Sequence, residues 1–414
     1  MTGLCGQGNI KQCIHDHTMQ TFYIETLGCQ MNVLDSELAS SALHRAGLQQ
    51  TDAPVNADVI LFNTCSVRQH AEEKVYSALG RLKNWKEEKP LGILGVLGCM
   101  AQKDKRRIFQ RAPHVDFVLG PGRLDMLVET IEQLCNEKPQ PTKTVCVSLS
   151  RIERPPLEVL ESFRQYNPNR DNPQREYVSG TACGTPSLVR IVFGCDQFCS
   201  YCVVPFVRGP EQSRPPQDIA NEVRHLAGRG VTQITLIGQT VNSYRYQTGE
   251  KKTRLADLLY QLSNIAGIEQ IDFVTNYPLG IDNDLLQAVR DLPQVSKHLH
   301  IPAQSGSDAV LRRMNRHYTA SQYREMVDRI YGTISGATLT SDFIVGFCGE
   351  TEEDFELTVE LVKYCRFRNS FIFKYSERSG TKAAELYTDD VPDEVKKYRN
   401  NRLLDIQIGI SRQN

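Results

Sequence analysis

Three closely spaced cysteines carry the sharpest chemical signal in this 414-residue chain. Cys195, Cys199 and Cys202 form a Cys-x3-Cys-x2-Cys run within RIVFGCDQFCSYC. Cysteine makes up 13 of the 414 residues. At that abundance the run arises by chance only about once in a hundred such chains. Thiolates this close read as metal ligands in a reducing compartment, not as a disulfide framework. A structural zinc site is the plain alternative, but zinc normally takes four ligands, often in paired Cys-x-x-Cys form. No second pair of that spacing occurs. Iron–sulfur clusters are also held by thiolates, normally four. Three ligands on a cubane leave one iron open to a small molecule, as a catalytic zinc keeps one position open.

A second set is spread along the first third of the chain. Cys29, Cys65 and Cys99 lie 36 and then 34 positions apart. Each follows a short β-rich run: Phe22 to Leu27, Asp58 to Asn63, and Leu91 to Leu97. After each comes a stretch with helical spacing: Val33 to Ala46 behind an Asn32 cap, Val67 to Lys86, and a charged stretch from Lys103. A fourth run, Val115 to Leu119, feeds a helix near Arg123 to Asn136. Strand alternating with helix predicts an α/β fold, here a Rossmann-like parallel βα domain over residues 21–150. Open α/β sheets place ligands at the C-terminal ends of their strands. The fold alone would bring these three thiols together there. Three buried structural cysteines are the plain alternative. Their matching position in three successive units argues against it.

Residues 1–20 show no periodicity and read as a loose tail. Residues 151–186, with Arg154-Pro155-Pro156, Asn167-Pro168-Asn169 and Asn172-Pro173, read as a connector. Over residues 187–410 the alternation resumes, with strands expected at 189–193, 233–237, 270–274, 297–301, 338–345 and 370–375. Six βα units are fewer than the eight of a closed barrel, which predicts a partial (β/α)6 barrel. Polar groups at or near its strand ends are candidate ligand contacts: Gln239, Asn242, Gln304, Ser305 and Asp342. Helix capping is the competing role for Asn242 and Ser305, although Ser307 is the better cap.

The balance of 48 Lys+Arg against 49 Asp+Glu gives a net charge of −1. This excludes a surface that attracts nucleic acid everywhere, but leaves room for a local basic footprint. With 40% hydrophobic and 23% charged residues, the chain is not a disordered one. The longest apolar stretch, Leu91 to Cys99, is half the ~18 residues of a membrane span. No signal or transit pattern is visible, so a cytoplasmic location is expected. Basic clusters occur at Lys103, Lys105, Arg106 and Arg107; at Lys251, Lys252 and Arg254; and at Arg312, Arg313, Arg316 and His317. Such runs are more often solvated helix faces. Arg208, just after the cysteine run, is the better candidate for a nucleic-acid substrate. Cys5, Cys13, Cys135, Cys146, Cys183 and Cys365 are expected to be plain packing or tail residues.

The Cys195–Cys202 run at the end of the first strand of a six-unit barrel resembles the radical S-adenosylmethionine (SAM) superfamily. TLGCQMN, NTCSVR and GVLGCMAQ in the first half are similar to the methylthiotransferase family within it. So are GCDQFCSYCVVPFVRG, IGQTVNSY, HIPAQSGSDAVLRRMNRHYT and SDFIVGFCGET in the second half. NTCSVR and GQTVNSY point to the MiaB type. The resemblance implies two [4Fe-4S] clusters, one on Cys195, Cys199 and Cys202 and one on Cys29, Cys65 and Cys99. It implies SAM chelated at the first, with Tyr201 near its adenine, and sulfur supplied from the second. The reaction implied is methylthiolation at C2 of N6-isopentenyladenosine, at position 37 beside the tRNA anticodon. An electron donor such as a flavodoxin or ferredoxin, a monomeric state and no membrane partner complete the expectation. The family usually ends in a small tRNA-gripping TRAM barrel, which this sequence is expected to lack. Rival readings are methylthiolation of threonylcarbamoyl-adenosine or of a ribosomal-protein aspartate, and a non-catalytic iron–sulfur or zinc protein.

Overall fold

The computed structural model describes residues 19–66, 69–136, 143–147 and 186–413. The tail and the proline-rich connector fall almost wholly outside the described residues. Those described form two compact units. The first holds 19–147 together with Phe206–Arg208, and the second holds the rest of 186–413.

The first unit is a six-stranded parallel sheet. Its elements are β1 (Thr21–Leu27), α1 (Gln30–Arg45), β2 (Gln49–Gln50), β3 (Val59–Thr64), α2 (Gln69–Arg81), α3 (Lys83–Glu88), β4 (Ile93–Gly98), α4 (Cys99–Asp104), α5 (Arg107–Arg111), β5 (Phe117–Leu119), α6 (Leu127–Asn136) and β6 (Thr144–Cys146). The strand order is β2-β1-β3-β4-β5-β6. Every residue of β3 (VILFNT) and β4 (ILGVLG) is buried, as expected of central parallel strands covered on both faces. Alternate side chains serve two cores. Val59, Leu61, Leu97 and Leu119 pack with Leu43 and Ile131 on one face. Ile60, Phe62, Val96 and Val118 pack with Leu79, Trp85 and Met100 on the other.

Three local readings differ from expectation. Helix α1 starts at Gln30 with Cys29 as its N-cap, so Asn32 lies inside the first turn. The stretch 67–86 yields two helices rather than one. The helix expected from Lys103 instead begins at Cys99 and stops at Asp104, because Lys105 takes a left-handed φ of 49°.

The second unit contains β7 (Ser187–Arg190), β8 (Val192–Phe193), β9 (Gln212–Ser213), α7 (Pro216–Gly228), β10 (Gln233–Ile237), β11 (Arg245–Thr248), β12 (Lys251–Arg254), α8 (Leu255–Ser263), β13 (Gln270–Phe273), α9 (Asn283–Asp291), β14 (His298–His300), α10 (Asp308–Arg313), α11 (Ala320–Thr333), β15 (Thr338–Val345), α12 (Glu352–Cys365), β16 (Asn369–Lys374), α13 (Lys382–Leu386) and α14 (Asp393–Ser411). The six barrel strands fall into two parallel trios in sequence order, β7-β10-β13 and β14-β15-β16. Asn276 N donates to His300 O across the gap between them. This is the expected partial barrel. Asp282, Ser307, Thr319 and Thr351 cap the helices that follow the strands, each through its side-chain oxygen. The antiparallel hairpin β11–β12 was not foreseen, and it carries the basic Lys251, Lys252 and Arg254.

Candidate cysteine centres

The first trio sits where three adjacent strands end. Leu27 of β1, Thr64 of β3 and Gly98 of β4 are in register. Cys29, Cys65 and Cys99 follow them by one or two residues. Gly98 makes the turn possible, since its φ is +92° and a Cβ there would meet Thr64 O and Asn63 Oδ1, each at 2.5 Å. Cys29 is exposed, while Cys65 and Cys99 are buried. A polar network, fully buried at Asn32 and Asn63, braces the rim. Asn32 Nδ2 donates to Asn63 Oδ1 (3.0 Å) and Thr64 O (3.2 Å), and Asn63 Nδ2 donates to Asn32 O (2.8 Å) and Ser36 Oγ (2.9 Å). Cys29 Sγ donates to Asn32 Oδ1 at 3.3 Å.

A hydrogen bond from Cys65, aided by the nearby Arg208 charge, brings the Cys29 thiol down to about 5. Burial pushes Cys99 up, against the pull of the same guanidinium. Arg208, expected to reach a substrate, is 3% exposed. Its Nη2 donates to Asp35 Oδ2 at 2.8 Å, and its charge also acts on the Cys99 thiol.

The second trio hangs from β8. Gly194, at φ +71°, turns the chain so closely under the Pro210 carbonyl that a Cβ would strike it. Cys195 N donates to Gly209 O (3.2 Å) and Cys202 N to Cys199 O (3.0 Å). The loop is fixed from outside: Ser200 donates to Met314 O and Arg313 O, and Asn315 Nδ2 donates to Phe198 O. Cys195 Sγ lies 3.7 Å from Thr240 Oγ1. Burial pushes the Cys195 thiol to about 11 and Cys202 further up. Arg316 is 9% exposed and donates to Cys199 Sγ (3.4 Å), with Tyr277 and Tyr318 rings 4.7 and 5.1 Å away.

The remaining candidates divide. Asn242 exchanges two 2.8 Å bonds with the Tyr277 backbone. Ser305 Oγ accepts from Ser307 N and meets Thr358 Oγ1, so it fixes a loop. Tyr201 packs edge-on to Phe347 at 6.4 Å. Gln304 holds a strained φ of 68° and bonds through its backbone to β15 at Asp342 and Ile344. The Asp342 carboxylate lies 3.5 Å from His300 Nε2. Gln239 stands just past β10, partly exposed. Arg313 bonds to Gly349 O and, like Arg316, turns inward rather than forming a solvated basic face. Asn63 and Asp35 carry no local signal of their role, and by residue type alone Arg316 belongs with the basic clusters. The arginine's place between apolar Met314 and aromatic Tyr318 was the available signal.

Both trios fit a cubane by donor chemistry. Each is all-thiolate, and each has a buried guanidinium whose charge acts on it: Arg316 bonded to Cys199 Sγ in the second, Arg208 acting on Cys29 and Cys99 in the first. Among the described residues, no three His, Cys, Asp or Glu side chains close on one point as the ligands of a single ion would. Zinc needs all its sulfurs about 2.3 Å from one centre. A cubane takes each thiolate on a different iron and so needs a wider set.

Residues 21–120 match the Uncharacterized protein family UPF0004, and residues 189–362 match the Radical SAM superfamily. Among solved structures, the radical S-adenosylmethionine methyltransferase TsrM from Kitasatospora setae shares the fold. Its TM-score is 0.60 over 89% of this chain and 77% of that one, at 11% identity. The tRNA-2-methylthio-N(6)-dimethylallyladenosine synthase of Rhodopirellula baltica is 51% identical over 396 residues, 95% of this chain and 80% of the relative. The synthases of the same name from Acidithiobacillus ferrooxidans (44%; 92% of this chain, 80% of the relative) and Protochlamydia amoebophila (40%; 96% and 83%) align as extensively. At that identity and coverage, the chain belongs to the tRNA-2-methylthio-N(6)-dimethylallyladenosine synthase family.

Proposed function

We infer that this protein is a tRNA methylthiotransferase that exchanges the C2 hydrogen of N6-isopentenyladenosine, at position 37, for a methylthio group. One observation carries the reading: β1, β3 and β4 end in register and deliver three cysteines to one sheet edge, in a chain that also holds the Cys195–Cys202 run. An aromatic C–H bond yields to a radical, which cofactors supply and side chains do not. Two [4Fe-4S] clusters and two SAM molecules would supply the chemistry when bound: the electron that splits one SAM into methionine and a 5′-deoxyadenosyl radical, and the sulfur that takes a methyl from the other.

The chain's own residues hold and orient. Cys195, Cys199 and Cys202 would take the SAM-binding cluster, and Cys29, Cys65 and Cys99 the sulfur-donating one. Tyr201, Gln239, Gln304 and Asp342 would face SAM, with Asn242 and Ser305 fixing the loops behind them. The exposed Lys251, Lys252 and Arg254 of the hairpin suit phosphate contacts. A target base in a single-stranded anticodon loop is cheap to unstack. A flavodoxin or ferredoxin as electron donor, a monomeric state and a cytoplasmic setting belong to the same reading. Among the described residues, no helix is long and apolar enough to cross a membrane.

Two measurements test this. Mass spectrometry of tRNA nucleosides from cells lacking the protein should show the 2-methylthio mark gone and N6-isopentenyladenosine accumulating; a persistent mark rejects the substrate. Anaerobic reconstitution should give about eight irons per chain. About four, or zinc in their place, rejects the two-cluster chemistry.

A further inference from the structure

Asp35 and Arg208 form a salt bridge that is almost completely withdrawn from water. Their side chains are each 1% exposed, with Arg208 Nη2 2.8 Å from Asp35 Oδ2. Isolated burial of two charges is a poor way to gain stability, because desolvation offsets most of their attraction. The pair's surroundings give it another use. The guanidinium acts electrostatically on both Cys99 and Cys29. Asp35 lies on α1, one and a half turns beyond Cys29 at its N-cap. Arg208 therefore has a carboxylate on one side and the thiol trio on the other. The carboxylate fixes the direction of the guanidinium fork.

We propose that Arg208 and Asp35 are positioning residues that set the reduction potential of the cluster held by Cys29, Cys65 and Cys99, with Arg208 raising it and Asp35 moderating the rise. The inference rests on the two-cluster reading above. Its physical basis is general: hydrogen bonds to the ligating sulfurs and nearby net charge set iron–sulfur potentials. A cation against a thiolate favours the added electron, and a carboxylate behind that cation cancels part of its field. The buried pair adds control over when this cluster accepts an electron.

The test uses the full chain carrying Cys195→Ala, Cys199→Ala and Cys202→Ala, reconstituted anaerobically so that only the first trio can hold iron. Dithionite-poised titration followed by electron paramagnetic resonance reads its potential. Arg208→Gln should shift the potential down, Asp35→Asn should shift it up, and Arg208→Lys should stay nearer the parent than Arg208→Gln. A purely structural role would move both variants the same way through lost iron. If the parent triple variant binds no cluster, the two-cluster reading fails and takes this proposal with it. If the parent holds about four irons but the two shifts are absent or share a sign, this proposal alone fails. Should Arg208→Gln not retain iron, the near-isosteric Asp35→Asn decides: an unchanged or lowered potential overturns the assignment.

Discussion

Arg316 donates from Nη1 to Cys199 Sγ over 3.4 Å, and among the described residues its other partners are a phenol oxygen (Tyr318, 3.0 Å) and a carbonyl (Pro302, 3.0 Å). Among the described residues no carboxylate shares it, unlike Arg208 with Asp35. Its charge is therefore directed undiminished at the second trio, backed by the faces of two tyrosines. Arg316→Gln should lower the potential of the cluster on Cys195, Cys199 and Cys202 and slow reductive SAM cleavage at least about tenfold, a cost of ~1.4 kcal/mol. Arg316→Lys should recover only part, since a point charge cannot bond sulfur, phenol and carbonyl in one plane. Quantifying 5′-deoxyadenosine under dithionite checks this; an unchanged rate would place Arg316 outside the electronics of the site.

Gly98 does for the first trio what no other residue type can. At φ +92°, with Thr64 O and Asn63 Oδ1 2.5 Å from any added Cβ, Gly98→Ala strains the backbone and pushes against a fully buried strand. We expect a loss of about 2–4 kcal/mol and a lower melting temperature in a thermal shift assay. Iron bound by the first trio should fall while the second trio keeps its share. Equal loss from both would mean global unfolding instead of a misplaced Cys99.

Two buried cysteines separate ligand from packing. Cys65 is 4% exposed at the end of β3, and Cys365 is fully buried at the end of α12. Cys65→Ser should cost about four of the expected irons. Cys365→Ala should leave the iron count intact and cost only the stability of a small buried side chain, about 1 kcal/mol. Iron and sulfide assays on both variants, side by side, check it. Iron loss in Cys365→Ala would contradict the assignment of trios.

How much of this was visible in the amino-acid string differs by kind of interaction. The repeat of β-run, cysteine and helix gave the first sheet, because period and spacing report local geometry directly. The expected strand 338–345 coincides with β15, where buried and partly buried residues alternate along all eight positions. Cysteine is an unusual N-cap and asparagine a common one, so the residue types alone point to a start at Val33 behind Asn32, later than the Gln30 start of α1. The hairpin β11–β12 escaped because Lys251 to Arg254 is polar throughout and carries no alternation. Long-range polar pairs were invisible in principle. Nothing local ties Asp35 to Arg208, 173 residues away. Asn63 looked like the last residue of an apolar strand, and only the packed rim shows it holding Asn32 and Ser36.

His298 offers a pH signature in the second unit. Its Nδ1 lies 2.9 Å from Thr338 Oγ1 and its Nε2 3.2 Å from Thr340 Oγ1. Burial, with His300 and Arg368 adding like charge and Asp272 opposing them, holds its pKa below the ordinary 6.5. A base whose folded-state pKa is depressed binds fewer protons folded than unfolded. The stability it lends is therefore complete above pH 6.5 and drains away as the pH falls below it. His298→Gln keeps a polar group of similar reach but cannot take up the proton. The melting temperature of the parent should exceed that of the variant most at pH 7.5, and the gap should close between about pH 6.5 and 5. Thermal scans of both proteins across that range decide it. A gap that stays constant with pH would show that burial and the neighbouring charges do not hold His298 in the neutral form.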